Sequence, residues 1–317
     1  MPKTTGVFIG DPHFAGGTIG ARIGNYTEAV SEKLTEALEI ARDHPADYVC
    51  LLGDLFSHPD PRGDVRNAAL HVLARGNSGV PWPFPILSLV GNHDITGHTT
   101  ETLEQTAIET FNKAGVIDIS ESVPRYDLFQ IHYQHGIEKE TFRSDASIWA
   151  AHSNIVPERI MGEHITIDDF RVGPRTRLVI CGHWHHGYPV VRRDDGVLFA
   201  NPGSLGRPRI DDAEHEIKVA IVEYDDHDIG VRYVPLTTAK PPSAVFSQLV
   251  LERRENKDIE VDRGAGFVEK LQDLRATFLN QGDSLKLIEG AIKLANPGDD
   301  VVSESRKRIE KVRREVV

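Results

Sequence analysis

The sequence predicts an α/β fold, a four-layer α/β/β/α sandwich, and three observations carry that prediction. Helix-like and strand-like segments alternate through the first half, strands joined by turns follow from residue 147, and apolar strands repeatedly stop at Gly just before Asp, Asn or His. Polar side chains gathered at the ends of buried strands mark the edge where open α/β folds place their ligands.

The first strand spans 6–10 around Val7-Phe8-Ile9. Residues 26–42 put Ala29, Val30, Leu34, Ala37, Leu38 and Ala41 on one face at helical spacing. Strand 47–53, helix 64–75, strand 85–90, helix 101–114 and strand 126–132 continue the alternation, with Leu103, Ala107, Ile108 and Phe111 inward on the third helix. Strands then fall at 148–151, 177–181, 188–192, 197–200, 218–224 and 229–236, with Asp194-Asp195-Gly196 as a hairpin turn. This half is expected to form a second, mostly antiparallel sheet, packed on the first with helices outside.

Lys240-Pro241-Pro242 reads as a boundary, because paired prolines interrupt both helix and central strand. It separates a body at 1–240 from a small C-terminal α+β extension at 241–317. The extension is expected to hold a hairpin of 245–251 with 259–261, then helices near 267–279, 284–295 and 302–316, the last strongly basic.

The net charge is −12, and residues 241–317 balance 14 Lys/Arg against 14 Asp/Glu, so the body carries the excess. That argues against a broad basic DNA-wrapping surface, though metal-binding carboxylates leave a phosphate-bearing substrate open. Cys50 and Cys181 lie within apolar strands and read as small core residues. The N-terminal residues lead straight into the first strand, with no secretory signal pattern and no membrane span, which points to a cytoplasmic protein.

Seven residues of metal-ligand type recur in order: Asp11 and His13 in IGDPHF, Asp54 in LLGDLF, Asn92 in VGNHD, His152 in WAAHS, and His183 and His185 in ICGHWHH. Oxygen and imidazole donors without thiolate suit Mn, Fe, Co, Zn or Mg rather than a structural zinc site. Seven exceed the needs of one ion, and with one carboxylate shared they suit two ions about 3.5–4 Å apart, the spacing that clamps a phosphoryl displacement. Asp54 is the candidate bridge. His93 adjoins a ligand without having to be one, so it can protonate a leaving oxygen, with Asp94 to orient it.

Taken together, D-x-H, G-D, G-N-H-D, H and G-H-x-H resemble the calcineurin-like metallophosphoesterase superfamily over about residues 5–240. The resemblance implies that Asp11, His13, Asp54 and His185 hold one metal, that Asp54, Asn92, His152 and His183 hold the other, and that His93 is the catalytic histidine. Within the superfamily, LLGDLF, PILSLVGNHDITG, GHWHHG and ANPGSLGRP resemble SbcD-type DNA repair nuclease subunits and their phage relatives.

That likeness implies a Mn-dependent DNA exonuclease/endonuclease in repair or recombination, with DNA as substrate, an SMC-like ATPase as partner and room for a homodimer. The alternatives are a phosphodiesterase or phosphatase for small or cyclic nucleotides, and a partner-recruiting scaffold of the same fold. Candidate substrate contacts are His58, Arg207 and Arg209, with Arg171, Arg175 and Arg192 further away and His98 and His186 in ligand-bearing loops. Trp184 is expected to pack in the core, and His44, His71, His215 and His227 read as solvent-exposed.

Overall fold

In the computed structural model, which describes residues 3–17, 19, 21–75, 79–97, 99–133, 144–160, 162–252 and 254, the predicted alternation yields two large sheets and, among the described residues, one small two-stranded sheet. The elements in chain order are β1 (Thr4–Ile9), α1 (Tyr26–Asp43), β2 (Tyr48–Leu51), α2 (Gly63–Arg75), β3 (Ile86–Ser88), α3 (Ala107–Lys113), β4 (Ser122–Val123), β5 (Leu128–Ile131), β6 (Ile148–His152), β7 (Ile155–Val156), β8 (Ile165–Thr166), β9 (Leu178–Gly182), β10 (Tyr188–Arg192), β11 (Leu198–Asn201), β12 (Lys218–Tyr224), β13 (Ile229–Pro235) and α4 (Pro242–Val245).

One sheet runs β13-β12-β1-β2-β3 and the other β10-β11-β9-β6-β5-β4. Strands β1, β2 and β3 are parallel, and β12 and β13 add antiparallel to the β1 edge. The second sheet is parallel through β5, β6, β9 and β11, and only β4 and β10 run antiparallel. The expected mostly antiparallel second sheet is therefore corrected, and 218–236 belongs to the first sheet rather than the second. The reason is legible in β6 and β9, which are buried along their whole length and covered on both faces, the environment of parallel strands.

Alternate residues separate the layers. Val7, Ile9, Val49 and Leu51 pack under α1, α2 and α3, while Phe8, Tyr48, Cys50 and Leu52 meet Ile148, Ala150, Leu178 and Ile180 between the sheets. Trp149, Val179, Cys181 and Phe199 face outward from the second sheet and are covered by Ile155, Ile165, Ile167 and Phe170. Among the described residues that outer cover is the segment carrying β7 and β8, while the helical cover lies on the first sheet. Both cysteines are buried free thiols, as expected, in different layers.

Helix α1 starts where Asn25 Oδ1 accepts the Glu28 N–H at 3.3 Å, and it buries Val30, Leu34, Ala37, Leu38 and Ala41. The predicted helix 101–114 is instead two pieces, a 3₁₀ turn at Thr100–Gln105 and α3. Thr106 divides them with extended backbone, its hydroxyl donating to Leu103 O at 2.7 Å and accepting the Glu109 N–H at 3.4 Å. The predicted strand at 245–251 is replaced by α4 and helical backbone at 248–252, and Phe246 makes only an isolated bridge to Arg22.

The chain divides into units Met1–Gln248 and Leu249–Val317. The second hairpin strand and the three C-terminal helices expected at 259–317 lie outside the described residues. No helix among the described residues is long and apolar enough to cross a membrane.

Ile180 is fully buried between the sheets, so Ile180→Ala should lower unfolding free energy by about 2–5 kcal/mol in urea melts of the metal-loaded protein. An unchanged midpoint would contradict the packing described.

Candidate metal centre

Parallel strands of both sheets end at the same edge. β1 delivers Asp11 and His13, β2 delivers Asp54, β3 delivers Asn92 and His93, β6 ends on His152, and β9 leads to His183 and His185. Sharp turns follow directly, and Asp11, His13, Asp54 and His183 all adopt positive φ, at 24°, 53°, 47° and 74°. Asp, Asn and His tolerate that region better than most side chains, and strained backbone concentrates at functional sites. Two of the glycines that precede ligands lie tightly against another ligand's side chain. A Cβ on Gly91 would strike the Asp54 carboxylate, and one on Gly53, at φ 96°, would strike the His152 ring.

The strand ends bring all seven predicted residues together. Asp54 Oδ2 lies 3.5 Å from His13 Nε2 and 3.4 Å from His152 Nε2, between an imidazole of each sheet. Asp11, His13 and Asp54 form one set of potential ligand atoms within 4.8 Å of one another, and Asp54, His152 and His183 form a second. His185 Nε2 reaches to 3.0 Å from His13 Nε2. Asn92 Oδ1 and His183 Nδ1 each lie 3.2 Å from His152 Nε2. The His183 N–H donates to both Asp11 oxygens, at 3.0 and 3.1 Å.

Proton accounting tests whether cations fit here. His152 Nδ1 is 2.7 Å from Leu52 O, which can only accept, so Nδ1 carries the hydrogen. Once its own proton is displaced, Nε2 presents a lone pair toward the space bounded by Asp54 Oδ2, Asn92 Oδ1 and His183 Nδ1. His185 is fixed likewise, with Nδ1 3.4 Å from the Asp212 carboxylate. Converging lone pairs around one shared carboxylate suit divalent ions, and the donor set is oxygen and nitrogen throughout.

The titration of these groups follows from burial and from each other. Burial pushes Asp11 up to about 6 and lowers His13 and His183 to about 3. Burial would also raise Asp54, but the neighbouring His152 and His13 outweigh it and hold the carboxyl well below its usual range. His152 shows the converse, where burial is overcome by Asp54 and Asp11 and the ring rises to about 9.

Asp94 does not orient His93, correcting the sequence expectation. Its buried carboxylate accepts the N–H groups of Phe56 at 3.0 Å, Gly91 at 2.9 Å and Leu55 at 3.3 Å, lacing the loop after β2 to the loop after β3. Burial, then Asp54, raises it to about 7. His93 is instead placed by its backbone, whose N–H donates to Asp54 Oδ1 at 2.8 Å, with its half-buried ring 5.1 Å from that of His13.

The adjoining cleft is lined by Asp54, Asn92, His93, His183, His185 and Arg209, together with Asn154, Trp184, His186, Asp211 and Asp212. Arg209 is exposed there, as a substrate contact must be. Arg207 is not available for that role: it is buried at φ 68°, with Nε and Nη2 donating to His215 O and Nη1 to Lys240 O. His58 is exposed but outside the cleft lining, its Nδ1 accepting the Asp60 N–H. Arg171, Arg175 and Arg192 are likewise exposed and outside it, and His98 lies outside the described residues.

His215, expected at the surface, is buried against Gly203. Trp184 is half-buried, packs on the outer core and also borders the cleft. The sequence reading missed Asp212, the partner of His185, and Tyr133, whose ring lies 5.6 Å from that of His183. Neither carries a local motif.

A two-sheet α/β sandwich that converges two carboxylate-imidazole clusters on one aspartate defines a dimetal hydrolytic centre. The family model described as "Calcineurin-like phosphoesterase superfamily domain" matches residues 7–227, and the chain belongs to that superfamily. Among solved structures, a dimetal phosphatase from Danio rerio aligns at TM-score 0.49 with 12% identity, covering 74% of this chain and 99% of that one. The protein TT1561 of Thermus thermophilus aligns at TM-score 0.40 with 11% identity, over 72% of this chain and 98% of that one. No curated protein matches the chain.

Because His152 titrates at about 9 rather than 6.5 without metal, its protonated form adds stability that is full below 6.5 and lost as pH rises through 9. Metal must displace that proton, so Mn affinity should rise across this window with proton release, measured by calorimetry in buffers of differing ionisation heat. Affinity independent of pH would contradict the assignment. Asp94→Ala should cost on the order of 1–3 kcal/mol by stranding buried amides and should weaken metal binding, whereas an effect confined to the pH profile would restore an orienting role.

Proposed function

We propose that this dimetal phosphoesterase is a manganese-dependent phosphodiesterase that cleaves the DNA backbone, a nuclease similar to SbcD-type subunits. The hydrolytic part rests on one observation: Asp54 joins both ligand clusters through its carboxylate and also anchors the His93 N–H at 2.8 Å. The DNA part rests on the likeness of LLGDLF, GNHDITG and ANPGSLGRP to that branch.

In this reading Asp11, His13, Asp54 and His185 hold one ion, and Asp54, Asn92, His152 and His183 hold the other. Two divalent ions, when bound, supply charge neutralisation at the phosphoryl oxygens and acidify the attacking water. The chain supplies the rest. Asp54, fixed between the sheets, sets the separation of the two halves of the site. Leu52 O and Asp212 hold the tautomers of His152 and His185, so their Nε2 atoms face inward. His93, at the cleft wall beside His13, donates a proton to the departing oxygen. Arg209 engages a non-reacting phosphate oxygen from the rim.

A second reading, a phosphodiesterase for small nucleotides, is favoured by the cleft itself, which holds about 300 Å³ and sets Asp211 and Asp212 beside its one arginine. An SMC-like ATPase partner and self-association belong to the nuclease proposal and are read by co-purification and by solution mass.

With Mn, labelled single- and double-stranded DNA should be degraded, whereas turnover of only cyclic or small nucleotide diesters would replace the nuclease reading with the second. If no ester of either kind is cleaved, the scaffold alternative stands. His93→Ala should lose about 10²–10⁴ in kcat while keeping its Mn stoichiometry.

A further inference from the structure

Three cationic side chains, Arg22, Lys33 and Arg207, are buried behind the loop that follows β11, at 6%, 5% and 7% exposure. Arg22 Nη1 donates to Arg207 O at 2.7 Å. Lys33 Nζ donates to Leu205 O and, at 2.7 Å, to Gly206 O. Arg207 spends its guanidinium on His215 O and Lys240 O. Among the described residues no carboxylate forms an ion pair with any of the three. Arg22 Nε is buried with no hydrogen-bond partner at all.

Burying cations is costly, and the carbonyl oxygens, the Tyr26 and Phe246 rings beside Arg22 and the longer-range attraction of Glu214 and Asp212 on Arg207 offset only part of that cost. The three side chains line a cavity of about 340 Å³, joined by exposed Lys240, while Glu28 and Glu32 stand exposed in its wall. That volume lies within the range of small-ligand sites, about 300–1,000 Å³. Burial, together with the charges of Arg22 and Arg207, drives Lys33 well below the usual lysine range, and an incoming anion would reverse that pressure. The cavity shares no lining residue with the catalytic cleft.

We propose that this cavity is a second anion site that takes a small phosphate-bearing ligand, either free phosphate or the phosphomonoester of a mononucleotide, through Arg22, Lys33 and Lys240. It is independent of the substrate reading above. The test uses the full chain stripped of metal by chelation, so that no cation at the catalytic centre can hold phosphate, with inorganic phosphate and AMP titrated separately by calorimetry. Saturable binding is expected in the wild type and in Asp54→Asn. Arg22→Gln should weaken it about tenfold and Lys240→Ala about threefold, as expected for losing a charge-assisted contact.

Phosphate binding without AMP binding supports the free anion, and tighter AMP binding supports the monoester. Absence of saturable binding of both probes to the wild type overturns the proposal. So does wild-type affinity in Lys240→Ala and in a folded Arg22→Gln. If Arg22→Gln fails to fold by circular dichroism, Lys240→Ala decides, because its side chain is exposed and not part of the core.

Discussion

One buried carboxylate governs the rest of this structure. Asp54 places a single oxygen between His13, from the first sheet, and His152, from the second, while its other oxygen takes the His93 N–H. Such a group is stable inside a protein only when charge and hydrogen bonds surround it, so its burial obliges the surrounding donors to be present. The sheets are thus held together at one end by polar contacts and along their length by apolar ones. Phe8, Cys50, Ile148 and Ile180 interleave between them, and that packing sets how closely the polar ends approach.

Supporting contacts fix the donors one by one. Leu52 O holds His152, Asp212 holds His185, and Asp94 laces two ligand-bearing loops through three backbone amides. The loop after β11 completes the floor, since Leu205 and Gly206 donate to the carbonyls of Gly10 and Asp11 while their own carbonyls accept from Lys33. The first ligand segment is therefore coupled through one stretch of backbone to the buried cations.

Much of this is legible in sequence because every ligand-bearing segment except that of His152 follows an apolar run broken at glycine, a pattern that fixes both strand end and side-chain chemistry. Cys50 and Cys181 are readable for the same reason. Partnership across long separations is not. Strands 218–224 and 229–235 alternate like any hairpin, and nothing local says they join β1 rather than β11. Asp94 sits next to His93 in sequence, yet backbone amides 38 and 39 residues away claim its carboxylate. Arg207 and His215 look polar and exposed as letters, but a turn at positive φ buries both beneath the loop. The helix expected at 101–114 breaks in two because Thr106 can end one helical piece while capping the next.

The left-handed backbone at Asp11, His13, Asp54 and His183 means that shape and chemistry restrict the same positions twice. Exchanging Asp for Glu retains a donor atom yet lengthens the side chain, exchanging His for Gln replaces a rigid ring nitrogen by a flexible amide, and both meet a conformation that few residues accept. Tuning of such a centre is thereby diverted outward, to neighbours such as Asp212, Tyr133 and Arg209, whose backbone is under no such restriction.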